Sequence, residues 1–250
     1  NNILTIGQGG LTLGQKDYYV DADPETAKVR EAYVAYIQKL AGHVGFSKED
    51  AARMAQDVMR IETRLAKASR SMTELRDPEA NYNKMSYEQL KKDFPGIKWD
   101  AYFQNFGISG LKDVVVGQPE AIHEVERVLA EETPEALQNV YLWHAINMAS
   151  GYVDDESRNI AFSFWGTTLS GKTQDRPRWK RAVSSVDGFL GEALGQLYVA
   201  KYFPPAAKER MEKLVANLQQ ALGERIDAQE WMTPETKKEA RVKLDAFYVN

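Results

Sequence analysis

The chain has 250 residues, 43% of them hydrophobic and 27% charged, with a formal net charge of −4 and no cysteine. These totals describe a folded globule able to bury about three quarters of its unfolded surface. They exclude a disordered chain, a disulfide scaffold, a thiolate metal centre and the basic surface that a nucleic acid partner requires. No apolar run approaches the ~18 residues of a membrane span, and the first residues lack the basic-then-apolar plan of a signal peptide.

The opening NNILTIGQGGLTLG is glycine-rich and reads as extended over residues 3–13. Without an initiator methionine, and with an uncapped end at LDAFYVN, the sequence suggests a fragment or a processed product. Apolar residues then recur at helical spacing. Asp23 before Pro24 is an N-cap with proline in the first helical position, and Val29, Tyr33, Ile37 and Leu40 form a stripe that Gly42 ends. Ser47 with Asp50 opens a helix carrying Met54, Val58, Ile61 and Leu65. Ser86 with Gln89 is a further capping pair, and residues 114–116, VVV, are the strongest strand candidate.

Pro119 starts a helix with Ile122, Val125 and Leu129 inward, and Thr133-Pro134 starts one with Leu137, Tyr141, His144 and Met148 on one side. A long helix is expected over residues 179–203, with Val183, Val186, Leu190, Leu194 and Leu197 in line and Pro204-Pro205 as its stop. The next carries Met211, Val215, Leu218 and Leu222; after Thr233-Pro234 the last carries Ala240, Leu244 and Phe247. Gly188, Gly191 and Gly195 each cost the long helix about 1 kcal/mol relative to alanine, which a helix crossing closely over a flat glycine face would offset. No repeat or low-complexity linker is found. The fold class is all-α with a short extended N-terminal segment.

Two motifs are decoys. Residues 166–173, GTTLSGKT, match the phosphate-binding loop G-x-x-x-x-G-K-[ST], which needs a strand before it and a helix opening at the Lys. NIAFSFW (159–165) could alternate as that strand, but Pro177 blocks a helix downstream, and residues 114–116 end at Gly117-Gln118 without a metal-binding carboxylate. An exposed polar turn between two helices is the preferred reading. His123-Glu124-Val125-Glu126-Arg127 misses the zinc motif H-E-x-x-H by one residue, because a guanidinium has no lone pair and repels a cation. His123 is read as a solvated helix flank, His144 as a hydrogen-bonded core histidine and His43 as a helix-end residue.

Read together and in order, DYY (17–19), RDPEANYNKM (76–85), SRNIAFSFWGTT (157–168), RWKRAVSSVDGFLGEALGQLYVAKYF (178–203) and WMTPETKKEARVKL (231–244) resemble the neprilysin and endothelin-converting-enzyme family of zinc endopeptidases. The resemblance makes Gly166 and Thr167 family residues at a helix end, and Gly171, Lys172 and Thr173 residues of a variable loop. Gly14 and Lys16 depart from the Pro and Arg expected before DYY, and Ala182 stands where a Cys is common, as in a bacterial member without disulfides. DAFY (245–248) is similar to the family's substrate-gripping Asn-Ala-(Phe/Tyr)-Tyr, but its position directly after the last helix makes it a helix end.

The resemblance implies a two-lobed enzyme in which a helical lobe caps an internal cavity and a catalytic lobe carries H-E-x-x-H and E-x-x-x-D. Neither motif occurs in these residues. The expected organisation is a connecting segment, 1–20, and a helical capping domain, 21–250, with the catalytic domain lying outside. Zinc is expected in the intact parent and none on this chain, which carries no catalytic, cofactor-binding or metal-ligating residue. The expected partners are the catalytic lobe and an oligopeptide substrate. A periplasmic or secreted location is preferred over a cytoplasmic one. The alternative is an autonomous helical binding module without protease activity, which would be polar all round.

Overall fold

A computed structural model of the chain describes residues 3–248. The chain divides into two compact units, 1–175 and 176–250.

The first unit contains β1 (Leu4–Ile6), α1 (Asp17–Val20), α2 (Pro24–His43), α3 (Lys48–Ala68), β2 (Asn83–Ser86), α4 (Tyr87–Asp93), α5 (Trp99–Asn105), β3 (Asp113–Val116), α6 (Pro119–Glu131), α7 (Pro134–Ala149) and α8 (Asp155–Ala161), which runs into a π-helical stretch, Phe162–Thr168. The helix starts follow from local chemistry. The Asp23 carboxylate accepts the Glu25 and Thr26 amides, Ser47 accepts Asp50 N–H, Ser86 accepts Gln89 N–H and Thr133 accepts Ala136 N–H; each such bond satisfies an otherwise orphaned helix donor. Helices dominate, and the all-α class holds. The extended segment and the Val114–Val116 run join in a small sheet of order β1-β3-β2, with β1 parallel and β2 antiparallel to β3.

Two cores form. Tyr33, Ile37 and Leu40 of α2 pack with Met54 and Val58 of α3, Trp143 of α7 and Phe164 of the π-helical stretch. Val114 and Val116 of β3 pack with Leu90, Phe94, Trp99, Phe103 and Ile122 of the helices around the sheet.

Three expectations are corrected. The buried side of α7 is that of Ala136 and Trp143, whereas Tyr141 and Met148 are 71% and 77% exposed; the aromatic contacts of Trp143 with Tyr33 and Tyr36 decide which face turns inward. The strand considered for residues 159–165 is helical, because the backbone bonds locally and Ile160 and Phe164, four apart, both face the core. The glycine face of the long helix is open: a Cβ on Gly188 or Gly195 would meet nothing within 4 Å.

The second unit is α9 (Arg178–Tyr202), α10 (Pro205–Ala228) and α11 (Pro234–Asp245). α9 bends at Leu190, whose φ of −131° and ψ of 21° leave the helical region, between glycines that offer little resistance. α11 opens on Thr233, which accepts Thr236 N–H, and docks on α10 through the Arg241–Asp227 ion pair. Leu244 is buried, but the stripes Val183, Val186, Leu190, Leu194, Leu197 and Met211, Leu218, Leu222 are exposed along their length. Phe247 and Tyr248 follow the end of α11, both exposed, so DAFY is a helix end.

Candidate functional site

The most constrained polar group is Glu62. It lies on the inward stripe of α3 between Val58 and Ala66 and is fully buried. Its Oε2 accepts Tyr19 Oη at 2.6 Å and Tyr33 Oη at 3.1 Å, and its Oε1 accepts Thr12 Oγ1 at 2.5 Å and Thr12 N–H at 3.3 Å, with His144 Nε2 at 3.1 Å. Tyr33 Oη in turn accepts the Trp143 indole at 2.8 Å, and Tyr19 Oη accepts Leu13 N–H at 3.0 Å. Burial, and then the adjacent Glu62 charge, push both phenols far above the usual tyrosine range, so they act as fixed donors. The cluster joins the extended segment, α1, α2, α3 and α7 at one point.

Beside it is an apolar pocket of about 730 Å³ in the first unit. It is lined by the buried Trp99, Phe103 and Ile122 and by Ile61 and Leu65 of α3, and residues 4–10 border it without a break. His144 reaches its lining from α7, and among the described residues no Asp, Glu, Lys or Arg does.

The zinc-like stretch on α6 is built for ion pairing. Arg127 binds Glu124, Glu124 also accepts Arg64 Nε at 2.9 Å, and His123 faces Glu126 at 3.2 Å. Both glutamates already have cationic or hydrogen-bonding partners, and Arg127 sits where a second ligand would be needed. Among the described residues no group of three or more His, Cys, Asp or Glu is disposed to hold a metal ion. The donor set does not fit zinc. His43 closes α2 and contacts Asp154 at 3.1 Å, and His144 is hydrogen-bonded to Glu62, as read from the sequence, though it stands half-exposed at the pocket.

The phosphate-loop match is a helix terminus. Gly166 lies inside the π-helical stretch and is buried; a Cβ there would collide with the Phe162 ring. Gly171 takes φ +63° and donates to Thr167 O at 3.0 Å, and Lys172 N–H donates to Gly166 O at 2.9 Å. These amides satisfy the last carbonyls of the helix and are not aimed at an anion.

Each of the five resembling segments has a structural task. Tyr19 of DYY binds Glu62. In RDPEANYNKM, Asp77 accepts the Glu79 and Ala80 amides, and the Asn83 side chain donates to Val116 O at 3.0 Å, setting β2 on β3. FSFWGTT is the π-helical stretch, and the remaining two form α9 and open α11. Against this geometry, the profile of Peptidase family M13 matches residues 1–250.

The chain belongs to Peptidase family M13. Mouse endothelin-converting enzyme 1 is 28% identical over 253 residues, covering 99% of this chain and 33% of the enzyme. The zinc metalloprotease Zmp1 of Mycobacterium tuberculosis, solved with an inhibitor, superposes with a TM-score of 0.85 at 32% identity, covering 97% of this chain and 37% of Zmp1. PepO from Lactobacillus rhamnosis HN001 shares the fold, with a TM-score of 0.84 at 20% identity over 98% of this chain and 39% of PepO. The chain thus spans about a third of the length of these proteins.

The sequence did not single out Glu62. The signal was there: a carboxylate one residue after Ile61 and four after Val58, on a face otherwise apolar.

Proposed function

We propose that this chain is the non-catalytic helical portion of an M13 zinc endopeptidase: it walls the cavity in which peptides are cleaved and restricts entry to oligopeptides. The supporting observation is the amount of ordered apolar helix face left uncovered within each unit, on Met148 of α7 in the first and along α9 and α10 in the second. Monomeric proteins seldom leave large contiguous apolar surface open, and the M13 relatives have about twice as much further polypeptide with which to cover it. In this reading residues 1–20 connect and residues 21–250 cap. Hydrolysis is carried out by zinc held elsewhere in the parent enzyme, and this chain contributes steric selection and exclusion of bulk water.

The same surface weighs against an autonomous binding module, which would be polar all round. A binding titration with the separately produced catalytic lobe tests the proposal. Tight 1:1 association, weakened by Leu197→Asp on the open face of α9, is expected; absence of association between the two folded parts overturns it.

A further inference from the structure

The pocket in the first unit is bordered by seven consecutive residues, 4–10. Successive strand side chains point to opposite faces, so an unbroken run lines a pocket with backbone as well as side chains. β1 is an edge strand of the sheet. Ile6 O accepts Gly117 N–H from the β3 side at 2.8 Å; by the alternation of backbone groups along a strand, the N–H and C=O of Thr5 point the other way, to the open edge. Thr5 and Gly7 are exposed. An open edge beside an apolar cavity is the arrangement with which proteins bind extended peptides by strand addition.

The lining sets the chemistry of the occupant. Among the described residues it holds no Asp, Glu, Lys or Arg, and His144 already faces Glu62. The mouth carries Tyr102, Phe106, Leu129 and Tyr141, all exposed. A volume of about 730 Å³ is within the range of ligand pockets and accommodates a few apolar side chains.

We propose that the open edge of β1 and this pocket form a binding site for an extended, uncharged, apolar stretch of the oligopeptide substrate, which adds to β1 as a further strand. The site takes substrate away from the scissile bond, and it rests on the peptidase reading above.

The test uses the 250-residue chain and a fluorescent pentapeptide, acetyl-Val-Thr-Val-Phe-Val-amide, read by anisotropy. Saturable binding is expected, at least tenfold weaker for the same peptide N-methylated at alternate amides. Thr5→Pro, which removes the outward N–H at an edge position where proline is tolerated, and Phe106→Ser at the mouth should each weaken it by a similar factor, with circular dichroism confirming that both variants fold. If Thr5→Pro unfolds, the N-methylated peptide decides alone. No saturable binding, or binding indifferent to both N-methylation and Thr5→Pro, overturns the proposal. So does a peptide that binds the free chain but not the enzyme reconstituted with its catalytic lobe, since the enzyme's own polypeptide then covers the pocket. Cleavage of a short substrate by that reconstituted enzyme is measured separately: cleavage without pentapeptide binding overturns the strand-addition site alone and leaves the peptidase reading standing.

Discussion

Glu62 shows how one residue can connect elements far apart in sequence. Its carboxylate satisfies buried donors from Tyr19 and Tyr33 and a half-buried one from Thr12, and meets His144. Leaving a buried donor unsatisfied costs about 1–3 kcal/mol, so Glu62→Leu should lower stability by about 3 kcal/mol or more and Tyr19→Phe by about 1 kcal/mol, read as urea midpoints. Gly166 poses a question of sign. Replacing a helical glycine by alanine ordinarily gains about 1 kcal/mol, but here the new methyl group meets the Phe162 ring, and overpacking costs about 1–3 kcal/mol. Gly166→Ala is therefore expected to destabilise, whereas Lys172→Ala, in the loop that mimics a nucleotide site, should leave stability unchanged, and calorimetry with ATP is expected to show no binding to either form.

At the scale of the elements, the helix starts respond to pH through their caps. Thr26, by its hydroxyl and then its amide, holds the Asp23 carboxyl below the usual range, and the Ser157 amide does the same for Asp154. Carboxyls depressed in the folded state add stability that is present above the unfolded pKa of about 3.9 and is lost as pH falls through the lower folded values. Urea midpoints should hold from pH 7 to 5 and drop below about pH 4. Asp23→Asn with Asp154→Asn, which keeps the capping oxygen, should flatten that drop. The starts at Asp23, Ser47, Ser86 and Thr133 were legible in the sequence because a cap is chemistry between residues two or three apart, whereas the start at Asp154 was not read there. The strands β1 and β2 were harder to see: three or four residues are too few for a period, and they are held by Val114–Val116 from far along the chain. The inward face of α7 was misread for a related reason, since Tyr33 and Tyr36, more than a hundred residues away, select Trp143. The Glu62 cluster is likewise a long-range arrangement, visible in the sequence only as a charge on an apolar stripe.

For the whole molecule, the proposed capping role rests on apolar faces that have no cover within their own unit. Substitutions there should be nearly neutral for the isolated chain: Leu197→Gln, at 72% exposure, should shift stability by no more than about 0.5 kcal/mol while weakening association with the catalytic lobe. The family match spans the chain, and its relatives are each about three times as long. The most direct measurement is hydrolysis of a quenched fluorescent oligopeptide with zinc supplied, by the chain alone and after addition of the catalytic lobe. The account predicts no turnover by the chain alone and chelator-sensitive turnover by the combination. Chelator-sensitive turnover by the purified chain alone would contradict it.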